Sequence, residues 1–250
     1  MWKKCKFLIF RWAVVHELLG FWLKRNLIFG RVATNTSYDK TLAAWNAVAE
    51  RYEAKFMGLP HYHAAYAAFF NLLPESARVL EIGAGPGIVT AYATQHFPKV
   101  QLLVTDAAKA MVQRSQFNFP QHQHQVLRAE ELATLNETFD GLVAAFCINY
   151  MPEAAVRELF IAATKKLHHS GALYISFMEG AYAESGMERG STGHEMLVHY
   201  YPETTICSWL KAAGFHITER LDLPPGDLTP RRQCMLISIK QVQPSGCSIT

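Results

Sequence analysis

Three glycines at alternate positions, Gly83, Gly85 and Gly87, have the spacing in this chain that points most directly to ligand binding. An apolar stretch, residues 77–82, precedes them, and a helix-compatible stretch, residues 88–97, follows. Glycine lets a backbone turn with positive φ and lets a ligand approach without meeting a Cβ atom. A helix N-terminus after such a loop also directs free N–H groups toward the ligand. The pattern predicts a ligand-binding loop, although glycine-rich turns also occur as plain connectors.

A second candidate binding residue, Asp106, ends the next apolar stretch (residues 100–105), nineteen residues after Gly87. An ionised carboxylate only accepts hydrogen bonds, so it suits the two hydroxyls of a ribose. Asp106 is equally suited to cap the helix predicted for residues 107–117. The two roles are compatible, and together with the glycine loop they favour a cofactor that carries a nucleoside.

Glu81, two residues before the glycines, makes this segment resemble the first motif of class I S-adenosylmethionine-dependent methyltransferases. The resemblance covers about residues 40–241 and continues, in the family's order, through Asp106 and residues 139–146, 148–152, 169–176 and 213–215. It implies an α/β fold with a Rossmann-like, doubly wound sheet, mostly parallel, with a C-terminal antiparallel hairpin strand. It also implies methyl transfer to a small-molecule acceptor by in-line displacement.

The resemblance further implies which residues bind the cofactor, S-adenosyl-L-methionine. They are Glu81, Gly83, Ala84, Gly85, Gly87, Asp106, Ala107, Ala129, Glu130 and Phe146. The chain departs from the family at Arg128, where an Asp commonly accepts from the adenine amino group. Arginine only donates, so we expect Glu130, or backbone groups and apolar packing near Ala129, to hold the adenine.

Composition favours a globular enzyme domain in a reducing compartment. Half of the 250 residues are hydrophobic and 18% are charged, which excludes a disordered chain and an ordinary membrane protein. The five cysteines are scattered and lack a CxxC pair, and the histidines form no HExxH motif. These patterns argue against a disulfide framework and a metal site. We therefore expect a cytoplasmic protein with no metal.

Residues 1–33 differ from the rest of the chain in charge. They hold seven basic residues and one acidic residue, whereas the remainder has a net charge of −3. A domain with that charge is poorly suited to nucleic acid, and no such partner is expected. Residues 1–30 contain no apolar run of the ~20 residues that span a membrane. Their aromatic and basic residues suit a helix on a membrane surface, and a plain extension outside the fold is the alternative.

Alternating elements predict a parallel sheet with helices on both faces. A helix is expected where Leu42, Trp45, Val48, Tyr52 and Phe56 recur at helical spacing. Further helices are predicted at residues 61–73, 88–97, 107–117 and 153–168, and strands at residues 77–82, 100–105, 125–127, 141–146, 172–177, 215–221 and 233–240. The domain boundaries are expected at residues 1–33 (extension), 34–241 (methyltransferase domain) and 242–250 (tail).

A polar, glycine-containing insert at residues 179–201 is predicted to form a lid at the carboxyl edge of the sheet, over the acceptor. Tyr200 and Tyr201 are the candidate walls of an acceptor pocket. Methyl transfer from a sulfonium depends on alignment rather than on a protein nucleophile. No catalytic residue is therefore identified, and His199 and Tyr150 are the candidate bases if the acceptor arrives protonated. A methyltransferase-like module that binds the cofactor without turnover is the alternative. The sequence names neither the acceptor nor the oligomeric state.

Overall fold

The computed structural model describes residues 36–190, 193–226 and 229–241. The chain divides between Asp39 and Lys40 into two units, and the core and the site belong to the second unit. The predictions made for residues 1–33 and for the tail at residues 242–250 lie outside the described residues.

Helices and strands alternate through the described chain. The α-helices are α1 (Thr36–Phe56), α2 (His63–Phe70), α3 (Ile88–His96), α4 (Lys109–Asn118), α5 (Glu153–Lys166) and α6 (Glu203–Ala212). The strands are β1 (Arg78–Ile82), β2 (Gln101–Asp106), β3 (Gln123–Val126), β4 (Phe139–Ala145), β5 (Leu167–Met178), β6 (Gly186–Arg189), β7 (Glu195–Val198), β8 (Phe215–Leu223) and β9 (Gln233–Lys240). Among the described helices, none has the length and apolarity needed to cross a bilayer.

Seven strands form one sheet in the order β3-β2-β1-β4-β5-β9-β8. Strands β1 to β5 pair in parallel, and β9 runs antiparallel between β5 and β8. This arrangement confirms the predicted doubly wound, mostly parallel sheet. The chain winds from β1 outward to β3 and then returns to place β4 on the other side of β1. Ligands bind in such sheets at this reversal, outside the carboxyl ends of the strands.

Apolar residues fill both faces of the sheet. One core packs the sheet against α5 and α6 through residues such as Phe160 and Leu210. The other packs it against α2 and α3 through residues such as Phe69 and Val89. Burial of both faces is what an α/β sheet requires.

Helix α1 packs elsewhere, against the start of α4. Val48 is its buried stripe residue and packs with Met111 of α4. The other members of the predicted stripe, which include Trp45 and Tyr52, are only half-buried. The side-chain oxygen of Asn46 accepts from the backbone N–H of Ala110 at 2.9 Å, which adds a polar tie between the two helices.

Several predicted elements begin or end at other residues in the structure, and two differences are informative. The helix expected at residues 153–168 ends at Lys166, because Leu167 already pairs with Phe139 at the start of β5. The insert at residues 179–201 contains a two-stranded antiparallel hairpin, β6 and β7, that the sequence did not predict. The backbone N–H of Leu197 in β7 donates to the hydroxyl of Thr41 at 2.8 Å, so the hairpin contacts α1.

Candidate functional site

The loop after β1 places its three glycines at the reversal of strand order. All three have positive φ: 64° at Gly83, 58° at Gly85 and 93° at Gly87. A Cβ atom at Gly83 would lie 2.9 Å from the Cβ and Sγ atoms of Cys147, and one at Gly87 would lie 2.8 Å from a serine hydroxyl of α4. At Gly85 an added Cβ would meet only Tyr52, at 3.8 Å. Internal packing thus requires glycine at positions 83 and 87. At Gly85 a side chain would make only an ordinary contact with Tyr52, so packing within the protein does not explain this glycine.

The carboxyl group of Glu81 is buried beneath this loop, with the residue only 1% exposed. Its Oε2 atom accepts from the hydroxyl of Thr90 at 2.6 Å, while Oε1 has no hydrogen-bond partner. The pKa of Glu81 is raised to about 8, mainly by burial. The hydrogen bond from Thr90 opposes this rise, and the charge of Asp106 adds to it. A buried acceptor without a partner is costly and calls for an explanation. A ligand that donates a hydrogen bond or brings positive charge would supply the missing partner.

Asp106 lies at the carboxyl end of β2, beside the glycine loop. Its Oδ2 atom accepts from the N–H of Gly85 at 2.8 Å, and Oδ1 accepts from the N–H of Ala108 at 2.7 Å. The second bond orders the turn before α4. The helix itself begins at Lys109, with Ala108 at its N-cap position and no side-chain cap, so Asp106 does not cap the helix as predicted. Burial raises the pKa of Asp106 to about 6, against these two hydrogen bonds, which lower it. Each oxygen keeps acceptor capacity for one further donor, which leaves the predicted ribose role available. The half-exposed Ala107 follows directly.

Phe146 occupies the third side of the site, after β4. It has a φ of 52°, which is unusual for a residue other than glycine, and its N–H donates to the carbonyl of Ser176 at 2.9 Å. Its ring lies 5.3 Å from that of Tyr62, measured between centroids. Strained backbone conformations tend to persist at ligand sites.

The segment predicted to hold the adenine forms a short 3-10 helix, Ala129–Thr134, after β3. Ala129 packs against the core, and the carboxylate of Glu130 is 3.8 Å from the guanidinium of Arg128. Glu130 also raises the pKa of Cys147, after the larger effects of burial and Asp106, which places it on the loop side of the sheet. The backbone N–H of Arg128 is held by the carboxylate of Glu131 at 2.9 Å.

Aromatic residues of α1 cover the loop. Tyr52, which approaches Gly85, lies 5.3 Å from Trp45 between ring centroids, and Trp45 lies 4.9 Å from Tyr150. Both pairs meet at an interplanar angle of 86°. The carboxylate of Glu53 bonds to Arg114 of α4 and fixes the turn of α1 that carries Tyr52. The sequence assigned these rings to a core-facing stripe, and the structure places Tyr52 beside the glycine loop, with Trp45 in contact with it.

Asn149 ties this region to the lid and was not singled out from the sequence. It is fully buried, and its side-chain nitrogen donates to the carbonyls of His199 (2.7 Å) and Met178 (3.2 Å). Its side-chain oxygen accepts from the N–H of Met178 at 2.9 Å, and its carbonyl accepts from the N–H of His199 at 2.6 Å. One side chain therefore joins the end of β5 to the end of the lid.

The three aromatic residues that end the lid point in two directions, as neighbours in an extended segment do. Tyr200 donates to Glu188 at 2.5 Å, and both of these residues interact electrostatically with Tyr150. The rings of His199, Tyr182 and Tyr201 form a separate cluster, in which each centroid lies 5.6–6.4 Å from the other two. The structure thus brings Tyr150 and Tyr200 together and separates them from the other two predicted acceptor residues.

Tyr201 and His199 have surroundings that suit packing. Tyr201 is fully buried, its hydroxyl donates to the carbonyl of Met151, and its ring contacts Trp209 of α6. His199 has a buried Nδ1 atom without a partner, and burial lowers its pKa, so its ring is neutral near pH 7. Desolvation raises the pKa of Tyr150 well above its usual range, so its hydroxyl stays protonated.

Glu179, Glu203 and Cys234 cluster tightly enough to offer ligands to a metal ion. The guanidinium of Arg232 lies among them, 2.8 Å from the Glu179 carboxylate and 3.0 Å from that of Glu203. Arg232 also pairs with Asp222 at 3.1 Å, and Arg220 supplies a second positive charge 3.3 Å from the Glu203 carboxylate. The cluster therefore serves as an ion-pair network at the base of the lid.

The comparisons with known proteins agree with this geometry. A family model described as a methyltransferase domain matches residues 52–220. The trans-aconitate 2-methyltransferase of Variovorax paradoxus (strain S110) is 29% identical over 92 residues, which make up 36% of this chain and 36% of that relative. The chain belongs to the class I S-adenosylmethionine-dependent methyltransferase family, and its cofactor is S-adenosylmethionine.

Solved structures show the same fold at low sequence identity. The 1,6-didemethyltoxoflavin-N1-methyltransferase of Burkholderia thailandensis, solved with 1,6-didemethyltoxoflavin and S-adenosylhomocysteine bound, has a TM-score of 0.66 at 16% identity. The match covers 84% of this chain and 92% of that chain. A S-adenosylmethionine-dependent methyltransferase from Clostridium acetobutylicum ATCC 824 has a TM-score of 0.62 at 13% identity, over 80% of this chain and all of that one.

Proposed function

We propose that this protein transfers a methyl group from S-adenosylmethionine to a small-molecule acceptor at the carboxyl edge of β1 and β4. The single observation that carries the proposal is the unpartnered, buried Oε1 atom of Glu81 beneath the glycine loop. It fits a cofactor whose methionine end carries an amino group, because that charged donor would give Oε1 its missing hydrogen bond. The open position at Gly85 and the remaining acceptor capacity of Asp106 fit the same molecule.

In this proposal each edge residue has a defined task. Glu81 holds the methionine end, Asp106 holds the ribose, and Gly85 admits both to the backbone. Ala84 fixes the loop by donating its N–H to the carbonyl of Thr105 at 3.0 Å. The other predicted binding residues, which contribute backbone groups, apolar contacts or the adenine contact, are Gly83, Gly87, Ala107, Ala129, Glu130 and Phe146.

The bound cofactor supplies a methyl group activated by its attachment to a positively charged sulfur. The protein then aligns an acceptor with that methyl group and excludes water, which are the main contributions that such a displacement needs. Two parts of the protein serve these tasks: the rings of Trp45 and Tyr52, and the lid, which is held in place by Asn149. Tyr150, which stays protonated, orients the acceptor by hydrogen bonding and does not act as a base.

Calorimetry with S-adenosylhomocysteine tests the cofactor site. Replacing Asp106 by Ala removes charge-assisted hydrogen bonds, and we expect the affinity to fall by about ten- to a hundred-fold. Asp140→Ala is a control, because Asp140 lies near the opposite end of β4 and bonds to the N–H of Arg78. It should lower stability and leave the affinity unchanged. Equal affinity for the wild type and Asp106→Ala would remove the ribose assignment.

A cofactor-binding module without turnover is the second candidate, since one fold serves many functions. The two functions differ in one measurement: release of S-adenosylhomocysteine across a broad panel of small-molecule acceptors. The intact glycine positions and Asp106 favour catalysis. Tight cofactor binding with no product from any acceptor would favour the binding module.

A further inference from the structure

Five residues lie close together beside the glycine loop, and we call the surface that they form the aromatic cleft. They are Trp45 and Tyr52 of α1, Tyr150 after β4, and Glu188 and Tyr200 of the lid. Their proximity follows from the ring contacts of Trp45 with Tyr52 and Tyr150 and from the electrostatic interactions of Tyr150 with Tyr52, Tyr200 and Glu188. The cleft adjoins Gly85, which Tyr52 also approaches.

The shape of the cleft suits a flat molecule. The rings of Tyr52 and Tyr150 each stand nearly perpendicular to that of Trp45, at 86°. All three rings are half-buried, so each exposes part of its surface. Aromatic faces and edges at these angles pack well against another planar ring.

The charge of the cleft argues against an anion. Glu188 contributes a carboxylate, and each electrostatic partner found for Tyr150 is neutral or acidic. Arg231 stacks on Tyr200 at 3.8 Å, but its guanidinium also bonds to the Glu184 carboxylate, so its charge is already compensated. Asp106 adds a further acidic group at the glycine loop. Like charges disfavour a negatively charged ligand.

The polar atoms of the cleft offer both donors and an acceptor. Within the described residues, the hydroxyls of Tyr52 and Tyr150 make no hydrogen bond, and burial keeps both protonated by raising the pKa of each, so both can donate. The Glu188 carboxylate accepts one bond from Tyr200 and has capacity for others. A ring nitrogen is the complementary partner of the hydroxyls, and an N–H group is the complementary partner of the carboxylate.

We propose that the acceptor is a planar nitrogen heteroaromatic or aromatic amine, neutral or cationic, that carries an N–H group. This inference rests on the proposed function. The acceptor nitrogen forms a bond to the methyl carbon, and the methyl–sulfur bond breaks with its electron pair left on sulfur. The proton of the nitrogen passes to the Glu188 carboxylate, which is exposed and returns it to water.

Three probes of the same shape test the proposal on protein saturated with S-adenosylhomocysteine. Benzimidazole is neutral and has an N–H group, benzothiazole lacks the N–H group, and benzimidazole-5-carboxylate adds a negative charge. By ligand-observed NMR we expect benzimidazole to bind at least about ten-fold more tightly than either of the others, and trans-aconitate to show no binding. Equal or tighter binding of benzimidazole-5-carboxylate would overturn the proposal.

Two variants test whether Glu188 causes the preference for benzimidazole over its carboxylate. Glu188→Gln should bring the affinities of benzimidazole and its carboxylate to within about three-fold of each other. Glu195→Gln, on the paired strand of the same hairpin and bonded to Arg189, should keep the wild-type selectivity. If Glu188→Gln keeps it too, the cleft is not the acceptor site. Failure of S-adenosylhomocysteine to bind would refute the proposed function, whereas its binding with unselective probes refutes only this inference.

Discussion

Replacing Gly85 by Ala should weaken cofactor binding much more than it weakens the fold. An added Cβ would meet only Tyr52, at the ordinary contact distance of 3.8 Å, so the packing cost is small. The φ of 58° costs about 1–2 kcal/mol for a residue with a side chain. At about 2–4 °C per kcal/mol for a domain of this size, the melting temperature should fall by roughly 2–8 °C. The methyl group also occupies the open space of the loop. We therefore expect the affinity for S-adenosylhomocysteine to fall at least about ten-fold, or ~1.4 kcal/mol.

Two other glycines serve as matched controls. Gly214 has a φ of 93°, like Gly87, but no atom lies within 4 Å of an added Cβ, so Gly214→Ala measures the backbone cost alone. Gly87→Ala adds a clash with a serine hydroxyl and with Phe119, at 2.8–2.9 Å. Overpacking costs about 1–3 kcal/mol, and Gly87→Ala should be less stable than Gly214→Ala by that amount.

Denaturant unfolding and calorimetry separate the two effects. Gly85→Ala should resemble Gly214→Ala in its free energy of unfolding and differ from it in affinity for S-adenosylhomocysteine. Wild-type affinity in Gly85→Ala would refute the assignment of Gly85 to the ligand. Equal stability of Gly87→Ala and Gly214→Ala would show that the loop does not pack against α4 as described.

Three further outcomes follow from the buried polar groups. Because burial raises the pKa of Glu81 to about 8, the free energy of unfolding of the cofactor-free protein should fall as the pH rises toward and through 8. Glu81→Gln should flatten this slope between pH 6.5 and 8.5 in thermal melts; equal slopes would contradict it. With a pKa of about 6, Asp106 is only about one-tenth ionised at pH 5, so S-adenosylhomocysteine should bind about ten-fold more weakly there than at pH 7. Calorimetry should show no such change in Asp106→Asn. Asn149→Ala should lower the free energy of unfolding, measured with denaturant, by about 3–5 kcal/mol, because several buried backbone groups lose their hydrogen-bond partners. Replacing the exposed Asn136 by Ala should change the free energy of unfolding little.

Most of the sheet could be predicted because its central strands are short apolar runs between turn signals. The run that ends at Ile82, before Gly83, is typical of a buried parallel strand. The start of β5 has no such signal. Residues 168–170 are polar and look like a helix end, yet Leu167 pairs with Phe139 across a bulge. Pairing with a distant strand overrides the local pattern there.

The hairpin of the lid was missed for a related reason. Residues 186–189 and 195–198 mix charged and apolar side chains without the alternation of a half-buried strand. Their partners are each other and α1, through the Thr41 hydroxyl. The sequence also cannot show that Gly83, Gly85 and Gly87 have different tasks, because the atoms that an added Cβ would meet come from residues 28 or more positions away.

Asn149 and Tyr150 show how far the site depends on contacts across the chain. The asparagine side chain points inward and joins two segments, one of which is 50 residues away, while the tyrosine beside it points into the aromatic cleft. The hydrogen bonds of Asn149 fix the short 3-10 helix Ile148–Tyr150 relative to the end of the lid. The position of the Tyr150 ring relative to Tyr200 and Glu188 is therefore set by the residue before it. The proposed acceptor site and the attachment of the lid therefore share one turn of backbone, and the proposal predicts that a shift in either one displaces the other.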